Sequence, residues 1–348
     1  MAAEAGRPNS LALLLAQGLD PNTQDAAGWT PSMRAARGGV GHWAANSDGR
    51  LECLRRLIQA GADPNFANLN RKTALSMAAA DGVEEAVEAL IAAGALLDHM
   101  ERDQTTPAMA AAAGGHAACL LRLLEAGADP RLVDERGRTL AIHAAGDAAC
   151  LDLATRFGCD PLVADGLEMD AFDHAARSKN AAGLRALLAS WAPNPGSRPI
   201  TLLAHACMGA DPECVQAVLD AGADPDQPGD DGDTALMTAA RSWDAGSLAC
   251  ARMLLARGAK IDAVDHHGRT ALMHAAFDGE EDAALLLAEA GAALDLADGA
   301  GSTAADIAQA QGADSLASTL RAMQRSRTER MELLAQSAPP APGRSPRI

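Results

Sequence analysis

Four histidines of this sequence share one position in a recurring pattern, and they have the clearest potential for chemistry. Each lies four residues after a position usually held by threonine, and the four are His143, His174, His205 and His274. Because an α-helix turns by about 100° per residue, we expect these imidazoles to face a groove and not the apolar core. Zinc requires nitrogens about 2.0–2.1 Å from one point, whereas packed helices stand about 8–10 Å apart. The spacing therefore favours plain surface histidines, or a weakly pH-sensitive binding stripe, over a metal site.

Five of the seven cysteines also share one position, eight residues before the residue that ends a helical segment. They are Cys53, Cys119, Cys150, Cys214 and Cys250. Small buried apolar residues are expected there, and cysteine packs as a small hydrophobe. The odd total, without a C-x-x-C pair, agrees with a reducing compartment. We predict a packing role for these thiols and not a metal or redox role.

Sequence motifs for catalysis and cofactor binding are missing from the chain. It has no phosphate loop, dinucleotide glycine fingerprint, H-E-x-x-H zinc helix or nucleophile elbow. Asp63, Asp129 and Asp224 recur in Gly-Ala-Asp steps, which favours turn formation over acid–base catalysis. We expect no enzymatic activity, no cofactor and no metal.

Charge and composition narrow the classes of partner. The net charge is −17, and the aromatic residues are four tryptophans and four phenylalanines. A phosphate-binding surface needs the opposite charge and aromatic platforms, so no nucleic-acid partner is expected. The acidity serves solubility or favours a basic partner protein. No segment approaches the ~20 apolar residues that span a bilayer, and the start lacks the layout of a secretory signal. We expect a cytoplasmic monomer without membrane contact, with secretion as an effector left open.

A period of 33 residues dominates the sequence. Glycine ends an apolar helical run at Gly18, Gly61, Gly94, Gly127, Gly158, Gly222, Gly258 and Gly291. A second series, called the threonine position here, opens a short alanine-rich helix at Thr30, Thr73, Thr106, Thr139, Asp170, Thr201, Thr234, Thr270 and Thr303. A threonine hydroxyl can accept a free backbone N–H at a helix start, and glycine can end a helix in the left-handed conformation.

The segments Gly28-Trp-Thr-Pro31 and Gly268-Arg-Thr-Ala-Leu-Met-His-Ala-Ala276, with the Gly-Ala-Asp-Pro steps, resemble ankyrin repeats over about residues 9–322. The resemblance implies an all-α solenoid of stacked helix-loop-helix units joined by hairpin-like turns, with about eight full units and about nineteen helices. It also implies a protein-binding scaffold that uses a concave face. The family usually has histidine three residues after the threonine, but this chain has Met33, Ser76, Met109, Ile142, Ala204, Met237 and Met273.

Three regions are predicted from these boundaries. Residues 1–24 form an N-terminal capping half-repeat, 25–322 the repeat array, and 323–348 a disordered tail rich in proline and arginine. An insertion at 38–50 interrupts the first unit, and three further residues lie around Trp243. Residues 165–200 match poorly and carry clustered prolines, so we expect a kink or loosened packing there.

The candidate binding residues lie on the turn tips and beside the groove. Together with the four histidines they are Trp29, Arg34, Arg71, Lys72, Arg136, Arg138, Trp243, His266, His267 and Arg269. An exposed tryptophan is a typical interface anchor, so Trp29 is the strongest of them. The leading hypothesis is a scaffold for a partner protein. The alternatives are a bacterial effector or a regulatory, antitoxin-like subunit with a specific target, and then an enzyme with a site grafted onto the array.

Overall fold

The computed structural model describes residues 1–38, 47–191, 201–229, 231–241 and 244–337. Within these residues the chain forms nineteen α-helices, and its β-structure consists of two isolated antiparallel bridges. The chain divides into two compact units, Met1–Pro193 and Asn194–Ile348. The all-α repeat class expected from the sequence is confirmed.

Unit 1 consists of one leading helix followed by pairs of antiparallel helices. Its helices are α1 Pro8–Ala16, α2 Pro31–Ala36, α3 Ser47–Gln59, α4 Ala74–Asp81, α5 Glu84–Ala92, α6 Pro107–Ala113, α7 Ala117–Glu125, α8 Leu140–His143, α9 Ala148–Arg156, α10 Ala171–Arg177 and α11 Ala181–Trp191. A 3₁₀ turn, Ala144–Gly146, continues α8. From α2 onward, the first helix of each pair packs on the first helix of the next pair.

Unit 2 repeats the same arrangement in four pairs. Its helices are α12 Thr201–Met208, α13 Pro212–Asp220, α14 Ala235–Ala240, α15 Ala245–Ala256, α16 Ala271–Asp278, α17 Glu281–Glu289, α18 Ala304–Ala310 and α19 Asp314–Ser337. The first helices α12, α14, α16 and α18 stack in order, with their alanine faces in contact.

Threonine begins the first helices as predicted. In α4, the Thr73 hydroxyl accepts the N–H of Ser76 at 3.2 Å, and the Ser76 hydroxyl accepts the N–H of Thr73 at 3.1 Å. The threonine bond recurs before α2, α6, α8, α14, α16 and α18, and Asp170 provides it before α10. At Met33 a sulfur replaces the serine oxygen and accepts the N–H of Thr30 at 3.4 Å. Met33, Ser76 and Met237, which stand where the family usually has histidine, therefore close the helix cap with their own side chains.

The closing glycines also adopt the predicted conformation. Gly127 has a φ of 101°, and all eight glycines of that series have positive φ. The N–H of Ala128 donates to the carbonyl of Leu123 at 3.0 Å, which satisfies a free carbonyl at the helix end. Because a side chain at such a φ is strained, the sequence position is restricted to glycine by the backbone itself.

We expect Gly127→Val to reduce the free energy of unfolding by more than the ~1–2 kcal/mol cost of a left-handed residue with a Cβ. Gly146→Val is the matched control, because Gly146 lacks a positive φ and a Cβ there meets no atom within 4 Å. Gly114 is unsuitable as a control, since its Cβ would lie 2.5 Å from the His116 ring. Urea denaturation followed by circular dichroism measures both changes, and equal losses would remove the conformational explanation.

The cysteine position is part of the core. All seven cysteines are buried and none forms a disulfide, which confirms the predicted packing role of the five that share a position. Burial raises the pKa of the Cys119 thiol to about 11 and that of Cys150 to about 12. These thiols are therefore protonated and shielded at neutral pH.

The C-terminal helix corrects one expectation. Disorder was predicted from residue 323, but α19 continues to Ser337. Arg327 explains the difference, because its guanidinium donates to the carbonyl of Ala288 in the last turn of α17 and to that of Ala292 just after the helix. Residues 338–348 lie outside the described residues.

The structure also bears on the predicted insertion at 38–50 and on the packing of residues 165–200. Within the insertion predicted at 38–50, residues 47–50 belong to α3, and residues 39–46 lie outside the described residues. Loosened packing was expected over 165–200, yet Phe172 and Leu184 are both 0% exposed. The aspartate cap of α10 and these buried side chains hold the repeat in place, while residues 192–200 lie outside the described residues.

Candidate functional site

Six of the described hairpin tips are organised by an aspartate or asparagine side chain five residues before the threonine position. At one tip, Oδ1 of Asp134 accepts the N–H groups of Arg136 and Arg138, both at 2.9 Å. The same pair of bonds forms at Asp25, Asn68, Asp165, Asp265 and Asp298. An Asx turn of this kind satisfies the backbone of the tip from within the hairpin, so its conformation is fixed before any partner binds.

The second carboxylate oxygen of three of these aspartates binds a predicted histidine. Nε2 of His143 lies 3.1 Å from Asp134, that of His174 lies 2.9 Å from Asp165, and that of His274 lies 2.9 Å from Asp265. The side chain of His143 is only 6% exposed. The expectation that these histidines line an open groove is therefore wrong for the buried His143 and His274, because their rings lean back onto the hairpin. His174 is partly exposed in the same bond, and His205 is half-buried.

The electrostatics of the pairs follow from burial and hydrogen bonding. Burial opposes the ionisation of Asp165, but the bond from His174 and the turn N–H groups outweigh it and lower the pKa of that carboxyl group. Burial likewise opposes the ionisation of Asp265 and Asp134, but the turn N–H groups and the bond from His274 lower the pKa of Asp265, and the bonds from Arg138 and Arg136 lower that of Asp134. Burial, reinforced by the nearby charge of Arg138, lowers the pKa of His143. The arrangement is a carboxylate that accepts hydrogen bonds and orients an imidazole.

One of these pairs has a third potential metal ligand nearby. Asp233, Asp265 and His274 bring one ligand atom each within 4.8 Å of one another. However, the same aspartate–histidine bond forms at Asp134 and Asp165, where it serves the turn. The bond between Asp265 and His274 therefore belongs to the hairpin turn, as it does at the other two histidines.

Trp29 and Arg34 are engaged within the first hairpin. Trp29 is half-buried, and the Arg34 guanidinium lies 4.6 Å from its ring centroid. Arg34 also pairs with Glu4 at 3.1 Å and with Asp25 at 2.8 Å. The prediction of an exposed tryptophan anchor was wrong, because the sequence did not show that arginines cover the ring.

The remaining tip residues fall into two groups. Lys72, Arg138 and Arg269 pair with Glu101 at 3.0 Å, Asp134 at 2.7 Å and Asp298 at 3.5 Å, respectively. The exposed tip residues are Arg71, Arg136, His266 and His267. Trp243 lies outside the described residues. Only the second group presents its side chains freely to solvent.

Three tip residues have a backbone conformation that favours glycine. Arg71, Gln104 and Glu168 have φ values of 60°, 62° and 60°. All three are exposed and stand two residues before the threonine position. Glycine holds that position at Gly28, Gly137, Gly232, Gly268 and Gly301. The sequence shows these three residues where other repeats have glycine. The backbone strain of the three residues became apparent only from their φ angles.

Two large apolar side chains also stand at the tips of unit 1. Leu69 is 71% exposed and Leu167 is 77% exposed. No motif marks these two residues in the sequence, since each is an isolated leucine in a turn. On a fixed backbone, they add apolar contact area beside Arg71 and Arg136.

None of the described helices is long and apolar enough to cross a membrane.

Comparison with known proteins agrees with this architecture. The model of a family described as ankyrin repeats matches the chain three times, over residues 42–134, 172–265 and 203–298. Together the matches cover more than half of the sequence. Protein PhlB of Serratia liquefaciens is 43% identical over 114 residues, which are 32% of this chain and 49% of that protein. The chain thus spans about half the length of that curated relative.

Proposed function

This chain belongs to the ankyrin repeat family, and we propose that it is a protein-binding scaffold whose partner docks on the hairpin tips of unit 1. The tips form a continuous platform, because neighbouring hairpins are hydrogen-bonded to each other. The N–H of Glu135 donates to the carbonyl of Asp103 at 3.0 Å, and that of Gly166 donates to the carbonyl of Arg136 at 2.8 Å. Binding to such a preformed row avoids the entropic cost of ordering loops.

The strongest support for the proposal is the backbone strain of three exposed tip residues. Arg71, Gln104 and Glu168 keep side chains at a backbone position where glycine would be free of strain. A left-handed residue with a Cβ costs about 1–2 kcal/mol, and such strain concentrates where side chains have a function. Since all three side chains point out from the fold into solvent, we attribute their retention to contact with a partner.

The chemistry of the tips suits a protein surface. Within the described part of the chain, Arg71 and Arg136 form no ion pair. Their guanidinium groups are free to form bidentate bonds to carboxylates of the partner. The exposed Leu69 and Leu167 supply apolar contacts beside them. The net charge of −17 favours basic groups elsewhere on the partner, and the buried cysteines, none of them in a disulfide, support a cytoplasmic location.

The triple substitution Arg71→Gly, Gln104→Gly and Glu168→Gly tests the proposal. We expect the urea midpoint to stay equal or rise, since strain is removed, while affinity for a partner captured from the native lysate falls about ten-fold or more. Purified partner and isothermal titration calorimetry provide the measurement.

Lys179→Gly is the matched control. Lys179 also has a positive φ, of 61°, but it lies between α10 and α11 and away from the tips. The Lys179→Gly variant should be more stable than the wild type and should bind the captured partner with unchanged affinity. Unchanged affinity in the triple variant would exclude these tips as the binding surface. Trp29→Ala and Arg138→Ala are poorer tests, because both residues make contacts that shape their own hairpins.

A further inference from the structure

The second helices of unit 2 form a groove that the proposed function does not use. It lies between α15 and α17 and has a volume of about 660 Å³. Its floor consists of Leu248 and Leu255 from α15 and of Leu285 and Leu286 from α17, all of them half-buried. Four leucines in one groove form an apolar surface that a partner side chain can cover.

The rim of the groove carries opposite charges on its two sides. Arg252 stands on α15, and Asp282 and Glu289 stand on α17. All three side chains are exposed, and none forms an ion pair within the described residues. Because these exposed charges form no ion pair with the described residues, we expect them to select a ligand by charge.

Two pairs of these residues have the seven-residue interval of a coiled-coil surface. Leu248 and Leu255 are seven residues apart, and so are Asp282 and Glu289. Seven residues of helix rise by about 10.5 Å, which is two turns. The groove leucines of α17, Leu285 and Leu286, are adjacent, so that leucines line both walls of a groove that apolar side chains of a third helix can enter.

We infer that this groove binds an amphipathic helix of a partner protein, with leucine-like side chains on the floor and basic side chains facing Asp282 and Glu289. A helix fits better than an extended strand, because both walls are helices whose backbone groups are already bonded and offer no strand edge. We expect basic side chains on one flank of the partner helix, because they would face the carboxylates of Asp282 and Glu289 on α17. The inference goes beyond the proposed function, because unit 1 supplies the tips and unit 2 supplies the groove.

Two synthetic peptides of three heptads test the inference. Both have leucine at the core positions; one has lysine on one flank and glutamate on the other, and the second has glutamate on both flanks. Fluorescence anisotropy of labelled peptide with the full chain should show saturable binding, about ten-fold tighter for the peptide with lysine. Reversing the direction of the bound helix exchanges its two flanks. The peptide with lysine on one flank can therefore face its lysines to α17 in one of the two directions, parallel or antiparallel.

The double variant Asp282→Lys and Glu289→Lys provides the matched control. Both residues are exposed, so the fold should be retained, which circular dichroism and the urea midpoint verify. We expect the preference to reverse, with the all-glutamate peptide binding more tightly. The tip variant with three new glycines should bind both peptides like the wild type, which separates this test from that of the proposed function.

Three outcomes would overturn the inference. The first is an absence of saturable binding by either peptide. The second is a peptide preference that the charge-reversed variant leaves unchanged. The third is concentration-dependent self-association of the chain that the charge reversal abolishes, because a second copy would then be the occupant.

Discussion

Asp265→Ala should reduce the free energy of unfolding by about 3 kcal/mol or more, since each buried group left without its bond costs about 1–3 kcal/mol. Asp265 accepts the N–H groups of His267 and Arg269 at 2.8 Å each, and it lies 2.9 Å from Nε2 of His274. His274 is 6% exposed, so water cannot replace the lost carboxylate. Urea denaturation followed by circular dichroism measures the loss.

Asp298→Ala is the comparison without a histidine bond, and it removes the ion pair with Arg269 in addition to the turn bonds. Asp298 accepts the N–H groups of Ala300 and Ser302 in the same turn, but the residue nine positions later is Ile307 and not histidine. We expect a smaller loss than at Asp265. Equal losses would mean that the turn bonds alone stabilise the hairpin and that the imidazole adds nothing.

The same carboxylate gives the sign of the pH dependence. Because the pKa of Asp265 is lowered in the fold, its stabilising contribution is present above the ordinary aspartate pKa of about 3.9. It is lost as the pH falls through the lowered value. The stability difference between wild type and Asp265→Ala should therefore shrink in acid.

Phe172→Ala should cost about 3–5 kcal/mol, the usual range for a buried phenylalanine. Phe172 is 0% exposed in α10 and is among the largest side chains that are fully buried. Removing the ring leaves a cavity in a repeat whose neighbours are short alanine-rich helices with little capacity to fill it. The urea midpoint of unit 1 should fall accordingly.

Phe277→Ala provides the comparison on a first helix of unit 2. Phe277 is 39% exposed, and its ring is in contact with the Arg269 guanidinium. The loss should stay below ~1 kcal/mol, because little apolar area leaves the core. A small loss at Phe172 as well would support the loosened packing that the poor repeat match had predicted.

Features that depend on short stretches of chain were predictable. The bond between Thr73 and Ser76 spans three residues, and the one between Ala128 and Leu123 spans five. Local bonds of this kind recur with the repeat, so the 33-residue period determined the helix starts, the helix ends and the all-α class. The burial of the cysteines followed from the same periodicity, since Cys119 and Cys250 occupy equivalent positions.

Features that depend on contacts across the chain were decided by the tertiary structure. Helical periodicity placed His143 correctly on its helix, but only the folded hairpin brings Asp134 to within 3.1 Å of its ring. Arg327 lies 39 residues from Ala288, so its sequence neighbourhood did not reveal the bond that helps to hold α19. The leucine groove likewise joins Leu255 to Leu285 from separate helices. The physical reason is common to all three: a repeat sequence determines the local backbone, whereas the partner of each side chain depends on what the stacked neighbour presents.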